Sequence, residues 1–341
     1  MEKSKPVMPN NKQFTFRKYY LEANTLINPR EYTTETNPQK IIDFQQFYSW
    51  AESNGASWKW IQYPTYFVNR AGFTYPGVLL THDVDCNQDF VYIPFKLLLT
   101  SGKAWKSDLQ PFFLQNPKTF QTHPLFEENI IITFIINEKN KKEKSFWSPM
   151  FKIWPTQVNT LRFLSAKFID LYEDKFLAEY VNDELAICKN MFNNILEAAT
   201  NTPDLIDPKI ITLESFIWAY ECLHSRCFNN SAEQYNIGPL AEFINHDNVH
   251  SHYYISSPHK TYDIFPYDNA EVSSGVESDF EVAGNYYQST TKFETFIKNL
   301  DLASNDEIRL ATYIEKLKKG SQAYISYKKV PNLHLLCTMD L

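Results

Sequence analysis

The chain has 341 residues, of which 43% are hydrophobic and 16% aromatic, with only 8 glycines. This composition excludes a low-complexity chain and is sufficient for a large hydrophobic core. The formal net charge of −7 argues against nucleic acid as the main partner, because an acidic protein repels the phosphate backbone.

The cysteines and the apolar runs bear on the compartment. The five cysteines form no CxxC pair and their number is odd, so we expect free thiols in a reducing, intracellular environment. No run reaches the roughly 18 apolar residues that a membrane-spanning helix needs. The N-terminal residues are mildly basic but include Glu2 and Glu22, a pattern compatible with the mitochondrion or the cytoplasm.

The first hundred residues predict an arm, a helix and several strands. Residues 1–38 are polar, rich in proline and asparagine, and without a period, so we expect an extended arm. Residues 41–54 place apolar side chains at helical spacing and stop at Gly55, which predicts a helix. Short runs rich in aromatic and β-branched residues predict strands at residues 60–68, 76–81 and 90–93.

The middle of the chain is predicted to be mostly helical, from residue 105 to about residue 230. Residues 161–199 have an apolar period close to 3.6 that extends across two helices. Residues 214–227 predict another amphipathic helix. The most apolar run, residues 130–136, is short enough to be either a buried strand or the core of a helix, and periodicity does not separate the two.

The last third of the chain mixes a polar insertion with short elements. Residues 256–290 are polar and acidic, which predicts a long surface insertion. Residues 294–300 and 306–317 have helical patterns, with Gly320 as a stop signal. Residues 323–327 predict a strand.

Six segments together resemble one protein family. In chain order they are residues 47–56 (FYSWAESNGA), 91–100 (VYIPFKLLLT), 145–155 (SFWSPMFKIWP), 216–228 (FIWAYECLHSRCF), 238–246 (GPLAEFINH) and 321–327 (SQAYISY). Each is weak alone, but in this order they are similar to SET-domain protein methyltransferases of the Rubisco large-subunit and actin-histidine type.

The resemblance implies a fold and a domain plan. The expected class is α+β: a SET-domain β-fold of pseudoknotted short sheets that is split by a helical insertion, without a C-terminal substrate-binding domain. The SET domain would occupy residues 39–341 after the arm at 1–38. Within it, residues 39–104 and 231–341 would be the two SET parts, and residues 105–230 the insertion.

The resemblance also implies a site for S-adenosylmethionine (AdoMet). Tyr327 takes the position of a catalytic tyrosine that lines the channel for the methyl-accepting amine. Asn245 and His246 resemble the pair that hydrogen-bonds the cofactor, and Arg226 resembles the basic residue that meets the cofactor carboxylate. Gly77 is what remains of a Gly-x-Gly turn that lets the backbone approach the ligand closely.

The same residues have structural interpretations that compete with these roles. Asn245 suits a turn, His246 a satisfied core histidine, Arg226 an ion pair and Tyr327 the core. A metal site is not expected, because clustered histidines without cysteine partners are not specific; the cluster comprises His246, His250, His252 and His259.

Several positions depart from the family pattern. Tyr75 adds bulk at the cofactor turn, and Pro76 removes an N–H and fixes φ. Glu242 stands where the pattern has Asp, and Lys328 follows the catalytic tyrosine in place of Gly. Met339 falls where the pattern has a second channel tyrosine, and losing one preorganised polar group typically costs about 100-fold in rate.

These departures lead to a functional hypothesis with two alternatives. The favoured one is a SET-fold protein impaired in catalysis that acts as a structural or accessory subunit of a larger protein assembly, in the mitochondrion or the cytoplasm. The first alternative is an active AdoMet-dependent protein-lysine or protein-histidine N-methyltransferase; the second is a module that binds a protein tail without AdoMet. AdoMet is the expected cofactor if the chain is active, and none is expected if it is not.

Overall fold

The structure is a computed structural model that describes residues 32–68, 74–85, 88–156, 175–229, 235–246, 251–257, 260–261, 289–300, 307–312 and 316–325. Most of the predicted arm and of the polar insertion lies outside these residues. The boundaries predicted for both stay predictions. Among the described residues, Tyr32–Thr34 forms a strand and Ser251–Ser257 forms another.

Nine helices are described. In chain order they are α1 Pro38–Ser53, α2 Ser101–Trp105, α3 Gln110–Gln115, α4 Pro117–Phe120, α5 Phe126–Asn140, α6 Ser148–Ile153, α7 Lys175–Asn201, α8 Leu213–Arg226 and α9 Ser289–Asn299. As predicted, the stretch from residue 105 to about residue 230 is mostly helical over its described part.

Thirteen strands are described. They are β1 Tyr32–Thr34, β2 Ser57–Trp58, β3 Ile61–Val68, β4 Thr74–Leu80, β5 Asp89–Pro94, β6 Leu99–Thr100, β7 Phe228–Asn229, β8 Tyr235–Ile237, β9 Asn245–His246, β10 Ser251–Ser257, β11 Lys260–Thr261, β12 Glu307–Thr312 and β13 Gln322–Ile325.

These strands form three small sheets that interleave distant parts of the chain. The first has the order β1-β3-β4-β13-β9, the second β11-β10-β12-β5-β2, and the third β6-β8-β7. Every pairing is antiparallel except β9 with β13, which is parallel. The predicted α+β class is confirmed, with the helical segment inserted between the two groups of strands.

Local sequence signals explain the bounds of α1. Asn37 is the N-cap, since its side chain accepts the backbone N–H of Gln39 and of Lys40. Pro38 fits the first turn, where no intrahelical N–H bond is lost. The helix ends at Ser53, and Gly55 follows with φ of +97°, a conformation that glycine adopts without cost.

The apolar run at residues 130–136 is helical and lies at the centre of the insertion. It belongs to α5, in which Ile130, Ile131, Ile132 and Ile135 have no exposed surface. The helix contacts α2, α4, α7 and α8 on different sides. A helix enclosed on all sides needs no polar face, which is why its sequence shows no clear helical period.

The helix predicted at residues 306–317 is wrong. Glu307–Thr312 is the central strand β12, which pairs with β10 on one side and β5 on the other. Ile308 is fully buried, while Glu307 and Arg309 beside it are half-buried and form an ion pair. This alternation is the period of two that strands require, and pairing on both edges outweighs a local helical preference.

Candidate functional site

The two motifs that carry the family resemblance meet in the first sheet. Strand β13 pairs in parallel with β9, with Tyr324 opposite Asn245 and Ile325 opposite His246. Its other edge pairs with β4, where Gln322 lies opposite Leu79. The segments around residues 245 and 324 are therefore neighbours although about 80 residues separate them, as the resemblance implies.

Gly77 does not form an open turn. It is a buried residue within β4, opposite Thr65 of β3. A Cβ atom on Gly77 would lie 2.4 Å from Nε2 and 2.9 Å from Cδ of Gln322, and 3.0 Å from Cδ2 of Phe67. The space that this glycine leaves is thus filled by the side chain of Gln322.

A hydrogen-bonded group holds Gln322 in this position. Its Oε1 accepts the hydroxyl of Tyr75 at 2.9 Å and the hydroxyl of Tyr324 at 2.8 Å. The two hydroxyls lie 3.4 Å apart. Tyr75, which the sequence analysis treats only as added bulk, therefore serves as a hydrogen-bond donor here.

Gln322 is a site residue that the sequence analysis did not identify. Within the described chain its buried Nε2 has no acceptor, and this is the atom that would lie closest to a Cβ on Gly77. The sequence offers one signal in retrospect. A glycine inside a strand often marks a close approach by another group, although the sequence does not say which group approaches.

Arg226, at the end of α8, faces a carboxylate of the protein itself. Its Nε lies 3.4 Å from Oε2 of Glu242, whose side chain has 0% exposure. The other oxygen of Glu242 accepts the indole N–H of Trp154 at 3.1 Å. The guanidinium also lies 5.9 Å from the centre of the Trp154 ring.

Burial raises the pKa of Glu242 to about 7, while the positive charge of Arg226 and the Trp154 hydrogen bond act to lower it. In this enclosed position, the Glu242 carboxylate depends on the positive charge of Arg226 to stay ionised. Glu242, which stands where the family pattern has Asp, provides a carboxylate that contacts Arg226.

The Asn-His pair is only partly described. Asn245 donates its side-chain N–H to the carbonyl of Pro76 at 2.9 Å, which places it beside Gly77. His246 is described by its backbone in β9, and its side chain lies outside the description, as do Tyr327, Lys328 and Met339. The catalytic role of Tyr327 therefore stays a prediction.

These contacts test whether the described residues fit AdoMet. Among the residues predicted to bind the cofactor, the surroundings of Gly77, Arg226 and Asn245 are described. Each of these three residues contacts another part of the protein. They do not form an open cradle for the cofactor, so no catalytic step through AdoMet follows from this geometry.

Two other expectations concern metals and membranes. In the part of the chain that the structure describes, no three His, Cys, Asp or Glu side chains are grouped so that they could hold a metal ion. Of the histidine cluster, only backbone positions of His246 and His252 are described. No described helix has the length and apolarity required to cross a bilayer.

Sequence comparison gives distant relatives. No family model matches the chain. Over 216 residues it is 24% identical to "Actin-histidine N-methyltransferase" of Canis lupus familiaris, and 23% identical to the proteins of the same name from Mus musculus and Homo sapiens. Each match takes in 60% of this chain and 34% of the relative. The match thus spans about a third of the length of these relatives.

Structural comparison extends over more of the chain. The SET domain of LSMT bound to lysine and AdoHcy matches with a TM-score of 0.55 and 19% identity, over 89% of this chain and 57% of that one. Rubisco LSMT bound to AdoMet matches with a TM-score of 0.54 and 18% identity, over 87% of this chain and 55% of that one. The chain therefore has the SET-domain fold, and its sequence is distantly similar to that of actin-histidine N-methyltransferases.

Proposed function

We propose that this SET-fold protein is impaired in methyl transfer and acts as a structural or accessory subunit of a larger intracellular protein assembly, in the mitochondrion or the cytoplasm. The main observation in favour of impaired methyl transfer is the filled space at Gly77. Where the family pattern has an open glycine turn for the cofactor, the Gln322 side chain occupies the volume and two tyrosine hydroxyls hold it there.

The charge at Arg226 supports the same proposal. A cofactor carboxylate would have to compete with Glu242, which is already inside the protein and 3.4 Å from Nε. Removing Arg226 from a buried carboxylate is costly because the carboxylate is then left without its counter-charge. The site thus favours the internal ion pair over an external ligand.

The accessory role rests on the retained scaffold. A fold that keeps its three sheets and a helical insertion around a large aromatic core offers a stable surface even if the cofactor cleft is closed. Function belongs to sites rather than to folds, so a SET fold without a working site still suits a binding or scaffolding role.

An active AdoMet-dependent protein methyltransferase is the second candidate, and one observation favours it. The parallel register of β9 and β13 puts Tyr324 opposite Asn245. The resemblance has the Asn-His segment and the strand before the catalytic tyrosine side by side, and this pairing supports that part of it.

Calorimetric titration of the full chain with AdoMet and AdoHcy separates the two candidates. We expect no saturable heat from the wild type up to about 1 mM ligand, in protein shown to be folded by circular dichroism. Gln322→Ala empties the space beside Gly77, and Tyr324→Phe is the matched control that removes one hydroxyl but leaves Gln322 in place. Micromolar binding by the wild type would refute the closed site.

The accessory role needs its own experiment. Native size-exclusion chromatography of an extract that contains the tagged protein at natural abundance should show it in a stable assembly with fixed stoichiometry. Two results together would establish the enzyme instead. The protein would elute at the mass of the free chain, and it would transfer labelled methyl groups to a protein substrate in a reaction that Tyr327→Phe abolishes.

A further inference from the structure

A small recess opens between helix α1, the first residues of β3 and the segment that precedes β9. Its volume is about 160 Å³, which suits a single chemical group, since pockets for whole drug-sized ligands usually measure about 300–1,000 Å³. Four aromatic residues line it, namely Tyr48, Trp58, Tyr63 and Phe243. We call it the aromatic recess.

The aromatic recess is separate from the Gly77 site. Side chains alternate between the two faces of a strand, so Val78, which lines the recess, lies on the face of β4 opposite to Gly77. Gln322 fills the space on the Gly77 face and does not line the recess. What binds in the recess is therefore a different question from AdoMet binding.

An irregular stretch of β3 forms one wall of the recess. The register between β3 and β4 shifts between Gln62 and Thr65, and such an irregularity re-aims the side chains around it. The Tyr48 hydroxyl, on α1, donates to the backbone carbonyl of Tyr63, and the ring of Tyr63 stacks on that of Phe243 with 4.1 Å between ring centres. These contacts hold the walls in place before a ligand arrives, which lowers the entropy cost of binding.

The rings of Tyr48 and Trp58 meet at a corner. Their centres lie 4.7 Å apart and their planes are inclined by 51°, so neither ring lies flat on the other. Both residues are half-buried, and part of each side chain is therefore accessible. The face of an aromatic ring is electron-rich and attracts cations, that of tryptophan most strongly.

The electrostatic setting of the recess also favours a cation. Among the described residues, no charged side chain lines it. Burial raises the pKa of Tyr63, and the ion pair of Arg226 and Glu242 acts on that pKa in opposite directions, so this pair adds little net charge at the recess. The chain as a whole has a net charge of −7, which attracts cations to its surface.

We propose that the aromatic recess binds a trimethylammonium group, either that of a free quaternary amine or that of a trimethylated lysine side chain. An unmodified lysine ammonium carries three N–H donors that need acceptors, and ring faces are poor acceptors. Methylation removes these donors and surrounds the charge with apolar surface that packs against the rings. The inference does not depend on whether the chain transfers methyl groups.

A matched ligand pair tests the chemistry on the full chain. Choline and 3,3-dimethylbutan-1-ol have nearly the same shape, but the first carries a trimethylammonium group and the second a neutral tert-butyl group. Titration is followed by calorimetry and by the indole N–H resonance of Trp58 in tryptophan-labelled protein. We expect saturable one-to-one binding of choline, at least about tenfold tighter than that of the alcohol. Equal affinity for the two, or no saturable shift of the Trp58 resonance, would overturn the proposal.

Two further ligands distinguish the sources of the group. Acetyl-trimethyllysine amide presents it as a protein side chain does, and acetyl-lysine amide, with a free side-chain ammonium, is the unmethylated counterpart. Tighter binding of the trimethyllysine compound than of choline would assign the recess to a protein side chain, and the reverse order to a free amine. Equal binding of the methylated and unmethylated lysine compounds would refute the proposal, because methylation would then contribute nothing.

Ring substitutions test the location. Trp58→Leu should weaken choline binding by at least about tenfold, and Trp58→Phe, which keeps a ring, should weaken it less. Trp60→Leu is the matched control, since Trp60 is also half-buried and does not line the recess. Equal loss in Trp58→Leu and Trp60→Leu, or no loss in either, would contradict the assignment.

Charge variants at Gln62, which lines the recess, keep the test independent of ring packing. Gln62→Glu changes the shape little and adds a negative charge, so it should tighten choline binding by about threefold or more, while Gln62→Lys should weaken it. Neither variant should change the affinity for the neutral alcohol. Choline affinity that is unchanged in both variants would place the ligand elsewhere. Circular dichroism and thermal melts of every variant separate lost affinity from lost folding.

Discussion

A hydrogen atom is the only side chain that fits between Gly77 and Gln322. A Cβ on Gly77 would meet Nε2 of Gln322 at 2.4 Å, far inside van der Waals contact. Gln322 cannot easily turn away, because Tyr75 and Tyr324 both donate to its carbonyl oxygen. The glycine is thus explained by internal packing, without reference to a ligand.

Gly77→Ala should therefore lower the free energy of unfolding by about 1–3 kcal/mol, the usual cost of overpacking a core. Gln322→Ala removes the clashing amide, so the double variant Gly77→Ala/Gln322→Ala should recover most of that loss. Urea denaturation of the two single variants and the double variant gives the coupling energy. Additive effects would show that the two side chains do not compete for the same space.

Glu127 gives stability a pH dependence. Its Oε1 accepts the hydroxyl of Ser101 at 2.6 Å and the backbone N–H of Tyr235 at 2.7 Å, which encloses the carboxyl. Burial raises the pKa of Glu127 from 4.5 to about 7, and the neighbouring charge of Glu128 adds to the rise. The folded state therefore holds a proton that the unfolded state releases between pH 4.5 and 7.

Because the folded state binds this extra proton, the Glu127 contribution is present below pH 4.5 and is lost as pH rises to about 7. Glu127→Gln keeps an oxygen that can accept both hydrogen bonds but cannot ionise. We expect the variant to gain up to about 3 kcal/mol relative to wild type between pH 5 and pH 8. If the free energies of unfolding of wild type and Glu127→Gln changed in parallel with pH, the raised pKa of Glu127 would be contradicted.

Helix α8 connects the insertion to the candidate site, since it carries Trp218 near its middle and Arg226 at its end. A reciprocal capping box begins it. Thr212 accepts the Ser215 backbone N–H at 3.1 Å, and Ser215 Oγ accepts the Thr212 N–H at 3.0 Å. Two N–H groups that the helix leaves unpaired are thereby satisfied.

Thr212→Ala should destabilise the protein by about 1 kcal/mol through loss of this N-cap. Thr200→Ala is a suitable control, because its hydroxyl donates to the carbonyl of Leu196 one turn earlier in the same helix and helix interiors favour alanine. Thermal or urea denaturation measures both. A Thr212→Ala variant as stable as Thr200→Ala would mean that water replaces the cap without cost.

The C-terminal part of the chain is joined to the helical insertion through α9. Phe293 and Phe296 contact Trp105 with ring centres at 5.3 and 6.3 Å, and both contact Phe126 at 5.3 and 5.5 Å. Ring pairs of this kind stabilise beyond their buried area. The insertion is therefore packed against α9 (Ser289–Asn299), a helix that begins almost 60 residues after the insertion ends.

Phe296→Ala should cost about 3–5 kcal/mol if α9 is part of one cooperative unit with the insertion. Ile297→Ala, at the next residue and 37% exposed, should change stability by about 0.5 kcal/mol or less. Denaturation gives the total effect, and hydrogen exchange across α9 and α2 shows whether both lose protection together. Exchange that rises only in α9 would mean that this helix opens separately.

The sequence by itself determined much of the architecture, because local signals and ordered motifs can be recognised without the tertiary structure. The helical spacing over residues 41–54 and the stop at Gly55 indicate α1, and the six ordered segments indicate the SET fold. Local chemistry, such as capping and periodicity, acts within a few residues and can be inferred from the sequence.

Tertiary structure decided what depends on contacts between distant residues. Strand β12 is a strand because it pairs on both edges, although its sequence suggests a helix, and α5 lacks a helical period because neighbours enclose it. At the site, Gly77 and Gln322 are about 245 positions apart in the sequence. Arg226 and Glu242 belong to different elements. Only folding brings each pair into contact, and these contacts decide whether the family positions face a ligand or the protein itself.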